Sequence, residues 1–228
     1  MSAESGDPER TIRRIARALS LAVVPFVRFD LPPAAERPTG QPLIWAPNHR
    51  SMFDTVVGLV CLHRIGVSAS FLVNARYFER RWGGALLTKV GAIPVDLDNG
   101  GLAAVAAAAR RLREGRSVVI MAEGRLVQHR ERQRLGIGEL SPGVVIIARR
   151  AEVPIIATAI VGSDDVWPIG RRFPRIRIGA RSTVRVRLSR PIVVTGRPRE
   201  ALAELTTILS DLVLATEAST VRAPLENG

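Results

Sequence analysis

A chain of 228 residues that is 46% hydrophobic has the size and composition of one sizeable domain with a continuous core. Its single cysteine, Cys61, excludes an internal disulfide and a cysteine metal site, and it favours a reducing compartment. The formal net charge of +12 is carried almost wholly by arginine, which a GC-rich genome would partly explain and which otherwise favours an anionic partner. Aromatic residues make up only 4% and are not interleaved with arginines, so a membrane surface is favoured over nucleic acid.

The first predicted element is a helix over residues 9–24, which Asp7 and Pro8 precede as N-cap and first helical residue. Its apolar residues recur at three- and four-residue spacing, whereas its arginines lie mainly on other faces. This pattern is typical of an amphipathic helix in a membrane interface, and equally of a helix that packs on its own domain. No apolar run reaches the roughly 20 residues of a membrane span, and without a small-residue cleavage site we expect the segment to be retained.

Beyond a proline-rich link over residues 31–42, short apolar runs alternate with helical segments, which predicts an α/β fold. The predicted strands are residues 43–46, 70–73, 92–95, 117–121 and 154–161, and the helices between them are residues 51–64, 82–90, 101–113 and 143–150. Arginines alternate with apolar residues over 175–178 and 184–188, as in edge or hairpin strands, and a last helix covers 199–215.

The fold predicted from these elements is a single α/β domain with a mixed central sheet covered by helices and with an N-terminal amphipathic helix. We expect that helix to occupy residues 1–30 at a membrane interface, the α/β domain residues 31–218, and a flexible tail residues 219–228.

The most informative segment is Ala46-Pro47-Asn48-His49-Arg50-Ser51-Met52-Phe53-Asp54, between a predicted strand and a predicted helix. Residues five apart lie roughly 140° from each other around a regular helix, so His49 and Asp54 cannot share one helix face. His49 must therefore precede the helix. With Ser51 as the N-cap, Asp54 falls in the first turn, where its carboxylate can turn back toward the imidazole. This arrangement predicts a His–Asp dyad.

A dyad of this kind suits acyl transfer to an alcohol, because a hydroxyl is a poor nucleophile until a base such as neutral imidazole takes its proton. Asp54 would hold the tautomer of His49 and stabilise the imidazolium. Ser51 is a nucleophile only in a weaker, ping-pong alternative. Ser51-x-x-Asp54 is also a capping-box pattern, which would explain Asp54 without catalysis. His63 and His129 lack a carboxylate at a similar spacing, and we interpret them as ordinary helix and loop residues.

A second polar cluster follows the predicted strand at 117–121, where the chain reads Met121-Ala122-Glu123-Gly124-Arg125. Strand ends are where the ligand sites of α/β proteins collect. Gly124 permits close backbone approach, and Arg125 can grip a phosphate through its planar fork. The alternative is a plain exit from strand to loop with solvated charges.

Taken together, these segments resemble the glycerolipid acyltransferases typified by 1-acylglycerol-3-phosphate acyltransferase, over residues 43–162. The first block of that family, N-H-x-x-x-x-D, is present as Asn48, His49 and Asp54. The third block, F-P-E-G followed by T-R or R, is similar to residues 121–125, and the fourth, an apolar strand that opens with V-P-I, to residues 153–156. The order and the spacing of the blocks both agree.

The resemblance implies an α/β acyltransferase in which His49 is the general base and Asp54 its partner, while Asn48, Glu123, Gly124 and Arg125 contribute to substrate binding. It implies no cofactor and no metal. The second block, usually G-x-x-F-I-D-R, has Leu97 in place of its phosphate-binding arginine, and a basic residue before Gly143 is also missing. Arg76 keeps a positive charge where the family often has lysine, so we include it among the substrate-binding residues.

The expected function is transfer of a fatty acyl group from acyl-CoA or acyl carrier protein to a lysophospholipid-like acceptor, with 1-acylglycerol-3-phosphate as the default. We expect the protein to be peripheral, on the cytoplasmic face of a membrane with an anionic surface. We do not expect nucleic acid as a partner. Two alternatives stay open: a catalytically weak lipid-binding homologue, and acylation of a different glycolipid or amino-lipid acceptor.

Overall fold

The structure is a computed structural model that describes residues 8–33, 38, 40–96, 98, 101–132, 134–175 and 181–222. Its strands are β1 (Val27–Asp30), β2 (Ile44–Pro47), β3 (Ala69–Asn74), β4 (Ile93–Val95), β5 (Ser117–Val119), β6 (Ile155–Val161) and β7 (Ser182–Leu188). Its helices are α1 (Pro8–Val23), α2 (Asp54–Arg64), α3 (Arg81–Lys89), α4 (Leu102–Arg113), α5 (Gly143–Ala151), α6 (Ser163–Val166) and α7 (Pro198–Arg222). Within those residues, no helix has both the length and the apolar character that crossing a bilayer requires.

The strands form one mixed sheet in the order β1-β7-β6-β2-β5-β3-β4. The five strands from β6 to β4 run parallel, β7 runs antiparallel to β6, and β1 pairs parallel with β7. All seven residues of β6 are buried, as expected for a strand covered on both faces. The predicted single α/β domain with a mixed sheet covered by helices is confirmed.

Alternating side chains of the central strands build a separate core on each face of the sheet. Ile44, Ala46 and Ala157 point to the face covered by α4, α5 and α7. Trp45 and Ile156 point to the opposite face, where α2 packs and α1 packs on α2 in turn. Because α2 starts directly after the β2 loop and lies over the sheet, its first residue is held beside the end of β2.

The predicted elements agree with the observed ones to within a few residues, with four differences. The sequence did not predict β1, which joins the sheet within the segment assigned to the N-terminal helix, or the four-residue helix α6. Helix α7 continues to Arg222, past the predicted end at residue 215, and Thr216 in this extension is still buried. The strand predicted over residues 175–178 lies outside the described residues except for Arg175, which is not in a strand.

Gly162 allows the chain to leave β6 close to its neighbour. Its φ is +87°, and a Cβ atom there would collide with the carbonyl oxygen of Thr183, so only glycine fits. The chain can therefore turn from β6 directly into α6 beside β7.

Candidate functional site

Parallel strands bring the polar motifs of the sequence to one edge of the sheet. The loop with His49 follows β2, residues 121–125 follow β5, Arg76 follows β3, and Gly162 follows β6. These four strands are neighbours in the order β6-β2-β5-β3, so their carboxyl ends lie side by side. We call this the carboxyl edge of the sheet. Segments more than 70 residues apart thus meet where α/β proteins bind ligands.

His49 and Asp54 contact each other at this edge. Their Nδ1 and Oδ2 atoms lie 3.0 Å apart, with the Asp54 side chain fully buried and that of His49 15% exposed. An ionised carboxylate only accepts hydrogen bonds, so Nδ1 donates its proton and the lone pair lies on Nε2. The arrangement leaves Nε2 as a base for a proton from a ligand.

The Asp54 carboxylate also shapes the loop that carries the imidazole. Its Oδ2 atom accepts hydrogen bonds from the backbone N–H groups of Arg50 and Ser51, each at 2.8 Å. Helix α2 begins at Asp54 with Phe53 as its N-cap, so the prediction that Ser51 is the N-cap is wrong. The Ser51 hydroxyl instead accepts from the Phe53 N–H at 3.0 Å. The Asp54 carboxylate thus holds the backbone of the loop before α2 and contacts the imidazole with the same oxygen.

Asn48 fixes the start of the same loop to β6. Its Oδ1 accepts from the Ile160 N–H at 2.7 Å and its Nδ2 donates to the Ile160 carbonyl at 3.0 Å. The residue is 1% exposed, so both ends of the amide are engaged inside the protein. We expected Asn48 among the substrate-binding residues, and in this structure its side chain positions the loop instead of facing a ligand.

Glu123 holds the backbone of His49 from the other side. Its Oε2 accepts from the His49 N–H at 2.8 Å, and its Oε1 accepts from the Gly138 N–H at 3.5 Å. Burial raises the pKa of this carboxyl to about 7, against the opposing effect of these hydrogen bonds. Glu123, also expected to bind substrate, is 6% exposed and acts here as a brace between two loops.

Gly124 and Arg125 turn the chain outward after this brace. Gly124 has a φ of +68°, and a Cβ atom there would approach Ser141 to 3.4 Å. Arg125 is exposed and forms an ion pair of 2.6 Å with Glu131, which raises the arginine pKa further and lowers that of Glu131. Any anionic ligand of Arg125 must therefore compete with a carboxylate that is already in place.

Arg76 lies farther along the carboxyl edge, in a short 3-10 turn that follows β3. Its side chain is 76% exposed and lies 3.4 Å from the carboxylate of Asp98. An exposed pair of this kind contributes little to stability, so the guanidinium remains accessible to an anion. Leu97, the departure from the second family block, lies outside the described residues.

Sequence reasoning missed two buried arginines that hold the surroundings of the dyad. Arg50 is 3% exposed and donates to Glu217 of α7 at 2.8 Å and to the Gly136 carbonyl at 3.0 Å. Arg132 pairs with Asp164 of α6 at 3.0 Å. In a chain so rich in arginine their presence gives no signal. Only the position of Arg50 directly after His49 offered a hint.

Two cavities lie away from the dyad. One of about 270 Å³ is lined by Pro42, Ser68 and Ser117 at the amino ends of the strands, and a groove of about 600 Å³ is lined by Val24, Phe29 and His63. Among the residues that the structure describes, no group of three or more His, Cys, Asp or Glu side chains is arranged to hold a metal ion.

Comparisons with known proteins identify the family and the fold. A protein-family model described as Acyltransferase matches residues 32–161. The crystal structure of the 1-acyl-sn-glycerophosphate (LPA) acyltransferase PlsC from Thermotoga maritima is similar, with a TM-score of 0.76, 14% sequence identity, and coverage of 96% of this chain and 84% of that chain. This likeness shows a shared fold. No curated protein matches the sequence.

The raised pKa of Glu123 predicts a particular dependence of stability on pH. The unfolded carboxyl titrates near 4.5 and the folded one at about 7, so between these values the folded state keeps a proton that the unfolded state has lost. Its contribution is full below the unfolded value and is lost as pH rises through the folded one. Relative to Glu123→Gln, the free energy of unfolding should fall by on the order of 3 kcal/mol from about pH 5 to about pH 8.

Urea unfolding of both proteins at a series of pH values measures this difference. The Gln variant cannot titrate at this position, so it cancels the contribution of the other carboxyls. Parallel stability curves for the two proteins would show that the hydrogen bonds to the carboxylate offset its burial.

Proposed function

The chain belongs to the acyltransferase family, whose model matches more than half of it, and from that premise we propose that it transfers a fatty acyl group from a thioester to the hydroxyl of a lysophospholipid-like acceptor. The observation that carries the proposal is the contact of 3.0 Å between His49 and Asp54 at the carboxyl edge of the sheet. We take 1-acylglycerol-3-phosphate as the default acceptor and acyl-CoA or acyl carrier protein as the donor.

In the proposed mechanism His49 is the general base. Its Nε2 takes the proton of the acceptor hydroxyl as the oxygen attacks the thioester carbonyl carbon. The tetrahedral intermediate then collapses, the carbon–sulfur bond breaks, and the imidazolium returns the proton to the departing thiolate. Asp54 holds the tautomer throughout and stabilises the transient positive charge.

The ping-pong alternative with Ser51 as nucleophile is disfavoured by the surroundings of that residue. Its side chain is fully buried, and its hydroxyl donates to the Trp167 carbonyl at 2.7 Å while it accepts from the Phe53 N–H. A proton committed to a carbonyl oxygen is not delivered to His49. Direct attack by the acceptor hydroxyl therefore remains the mechanism that we propose.

The first test of the dyad is removal of its base. Loss of a general base typically costs roughly a hundred- to ten-thousand-fold in rate, so we expect His49→Ala to lower the acylation rate by at least about a hundredfold. Asp54→Asn should approach the same loss. The assay supplies labelled acyl-CoA and a panel of lysolipids and separates products by head group, which also identifies the acceptor.

His63→Ala is the matched control, because His63 lies in the last turn of α2, at the opposite end of this helix from Asp54 and the carboxyl edge. It should keep nearly full activity, and the melting temperatures of His63→Ala and His49→Ala should stay close to that of the native protein. A His49→Ala protein with more than half of the native rate would disprove the dyad mechanism. A folded native protein that acylates no lysolipid in the panel would favour the lipid-binding alternative.

Arg125 is the proposed contact for the acceptor phosphate, with Arg76 as the helper. A charged hydrogen bond contributes about 1.5–3 kcal/mol, so Arg125→Ala should raise the acceptor KM by about ten- to a hundredfold with less effect on the donor. Arg125→Lys should recover only part, because it keeps the charge but loses the fork. Glu131→Gln removes the competing carboxylate 2.6 Å away and should lower the acceptor KM.

Arg110→Ala is the control for this series, since Arg110 is also exposed and paired with a carboxylate, Glu114, but lies at the far end of α4. Steady-state kinetics with acceptor and donor varied separately provide the readout. An unchanged acceptor KM in both Arg125→Ala and Glu131→Gln would exclude the phosphate contact and favour an uncharged acceptor head group.

We further propose that α1 binds the anionic membrane surface from which the acceptor comes, on the cytoplasmic face. Its arginines at positions 10, 13, 14 and 17 are exposed. Leu21 is 70% exposed and Val24, just past the helix, is 48% exposed, although Ala16 is fully buried. Apolar side chains beside cations are the composition of an interfacial helix. The helix thus combines a contact to the domain with an outer side suited to lipid.

Removal of α1 would be an ambiguous test, because it would also expose the surface that Ala16 covers. Instead, Leu21→Ser combined with Val24→Ser should weaken co-sedimentation with anionic vesicles by about tenfold or more, since burial of each such side chain contributes about 1.5–3 kcal/mol. The control pair is Ile146→Ser with Val193→Ser, which are 44% and 69% exposed elsewhere on the domain. Equal binding by both double variants would assign α1 to the domain alone.

A further inference from the structure

Residues 167–175, which we call the α6 loop, leave the carboxyl edge after α6 and return to it. The return is closed by the Arg175 N–H, which donates to the Val166 carbonyl at 2.7 Å. Inside the loop, the indole N–H of Trp167 donates to the Arg171 carbonyl at 2.8 Å. The α6 loop is therefore a compact surface loop, with one hydrogen bond that closes its ends and a second one inside it.

The α6 loop is anchored directly beside the dyad. The Ser51 hydroxyl, two residues after His49, donates to the Trp167 carbonyl at 2.7 Å. On the other side, Val166 is buried and Trp167 packs against the same apolar cluster as Val23 at the end of α1. The α6 loop thus contacts both the loop that carries His49 and the apolar cluster on which the end of α1 packs.

The outer side of the α6 loop carries exposed apolar and basic side chains. Phe173 is 68% exposed and Ile169 is 38% exposed. The guanidinium of Arg172 lies over the Phe173 ring, 5.4 Å from its centroid. In the part of the chain that the structure describes, no ion pair joins Arg171, Arg172 or Arg175 to a carboxylate. Two exposed apolar side chains and three such cations therefore occur within nine residues.

This composition matches an anionic lipid interface. Insertion of aromatic and aliphatic side chains among acyl chains is favourable, and arginines beside them can pair with the phosphates of the lipid head groups. The braced backbone presents these side chains at little cost in conformational entropy. An acidic protein would account for the arginines, but less well for apolar residues that protrude among them.

We propose that the α6 loop is a second lipid-contacting element, which inserts Phe173 and Ile169 into an anionic membrane and thereby presents the dyad to acceptors held in that membrane. The choice of a lipid partner rests on the proposed acyltransferase function, whereas the binding itself does not require catalysis. Together with the end of α1, the loop would place the carboxyl edge of the sheet toward the bilayer.

Site-specific labelling tests the insertion. The one native cysteine, Cys61, is buried, and burial raises the pKa of its thiol to about 12, so a cysteine introduced on the surface is labelled selectively. Phe173→Cys and Val193→Cys each receive a polarity-sensitive fluorophore. Phosphatidylcholine vesicles that contain phosphatidylglycerol should blue-shift the label at position 173 and leave the label at 193 unchanged.

A second pair of variants tests the arginines. Arg171→Ala with Arg172→Ala should weaken binding to the phosphatidylglycerol vesicles by about ten- to thirtyfold. Arg149→Ala with Arg150→Ala removes the same charge from exposed positions at the end of α5, next to the amino end of β6, and should change binding much less. His49→Ala should bind vesicles like the native protein, so a failed catalytic mechanism would not be mistaken for a failed lipid contact.

The proposal is overturned if sedimented protein shows no shift at position 173, or if the labels at 173 and 193 respond alike. It is also overturned if the two double arginine variants lose equal affinity, since binding would then depend on net charge alone. A shift at position 173 with acyl carrier protein but not with vesicles would make the loop a donor-docking surface instead.

Discussion

The rest of the site depends on the hydrogen bonds that the buried carboxylate of Asp54 accepts. One of its oxygens, Oδ2, accepts from the His49 imidazole and from the backbone N–H groups of Arg50 and Ser51. Hydrogen bonds reduce the cost of burying a carboxylate, and the loop supplies three of them by wrapping around Oδ2, whereas Oδ1 has no hydrogen-bond partner among the described residues. The same oxygen therefore fixes both the path of the loop and the orientation of the imidazole. The contact with the imidazole and the support of the loop before α2 are therefore not competing explanations of this residue.

The other polar residues of the motifs serve mainly to hold this loop in place. Asn48 binds it to β6 and Glu123 binds it to the turn after β5, each through hydrogen bonds to main-chain atoms. Arg50 extends the same frame to α7 through Glu217. A general base must stay within a few tenths of an ångström of its working position, and rigid supports of this kind provide that precision. Among the motif residues, His49 and Arg125 are the ones that we propose to contact substrate.

Sequence reasoning was most successful where periodicity is strong and least where partners are distant. The parallel strands and the helices between them have clear apolar patterns, whereas β1 has four residues and pairs with a strand about 150 residues away. The His49–Asp54 pair was accessible because both residues lie in one loop. The supporting roles of Asn48 and Glu123 could not be predicted, because their partners are main-chain atoms. Asn48 bonds to Ile160, 112 residues away, and Glu123 bonds to His49 and Gly138, 74 and 15 residues away. A pattern of side-chain types carries no information about such bonds.

The structure also separates the many arginines into two groups, which the composition alone could not distinguish. Arg50 and Arg132 are buried and paired, and Arg187 is bound to Asp30 at 2.7 Å, so these residues have specific partners within the fold whatever the genome composition. The arginines of the α6 loop differ, because they stand beside exposed apolar side chains and without a carboxylate among the described residues. Genome bias predicts arginines scattered over the surface, but it does not predict their association with a protruding phenylalanine. It is the local pairing of charge with apolar exposure, more than the net charge of +12, that points to a lipid surface.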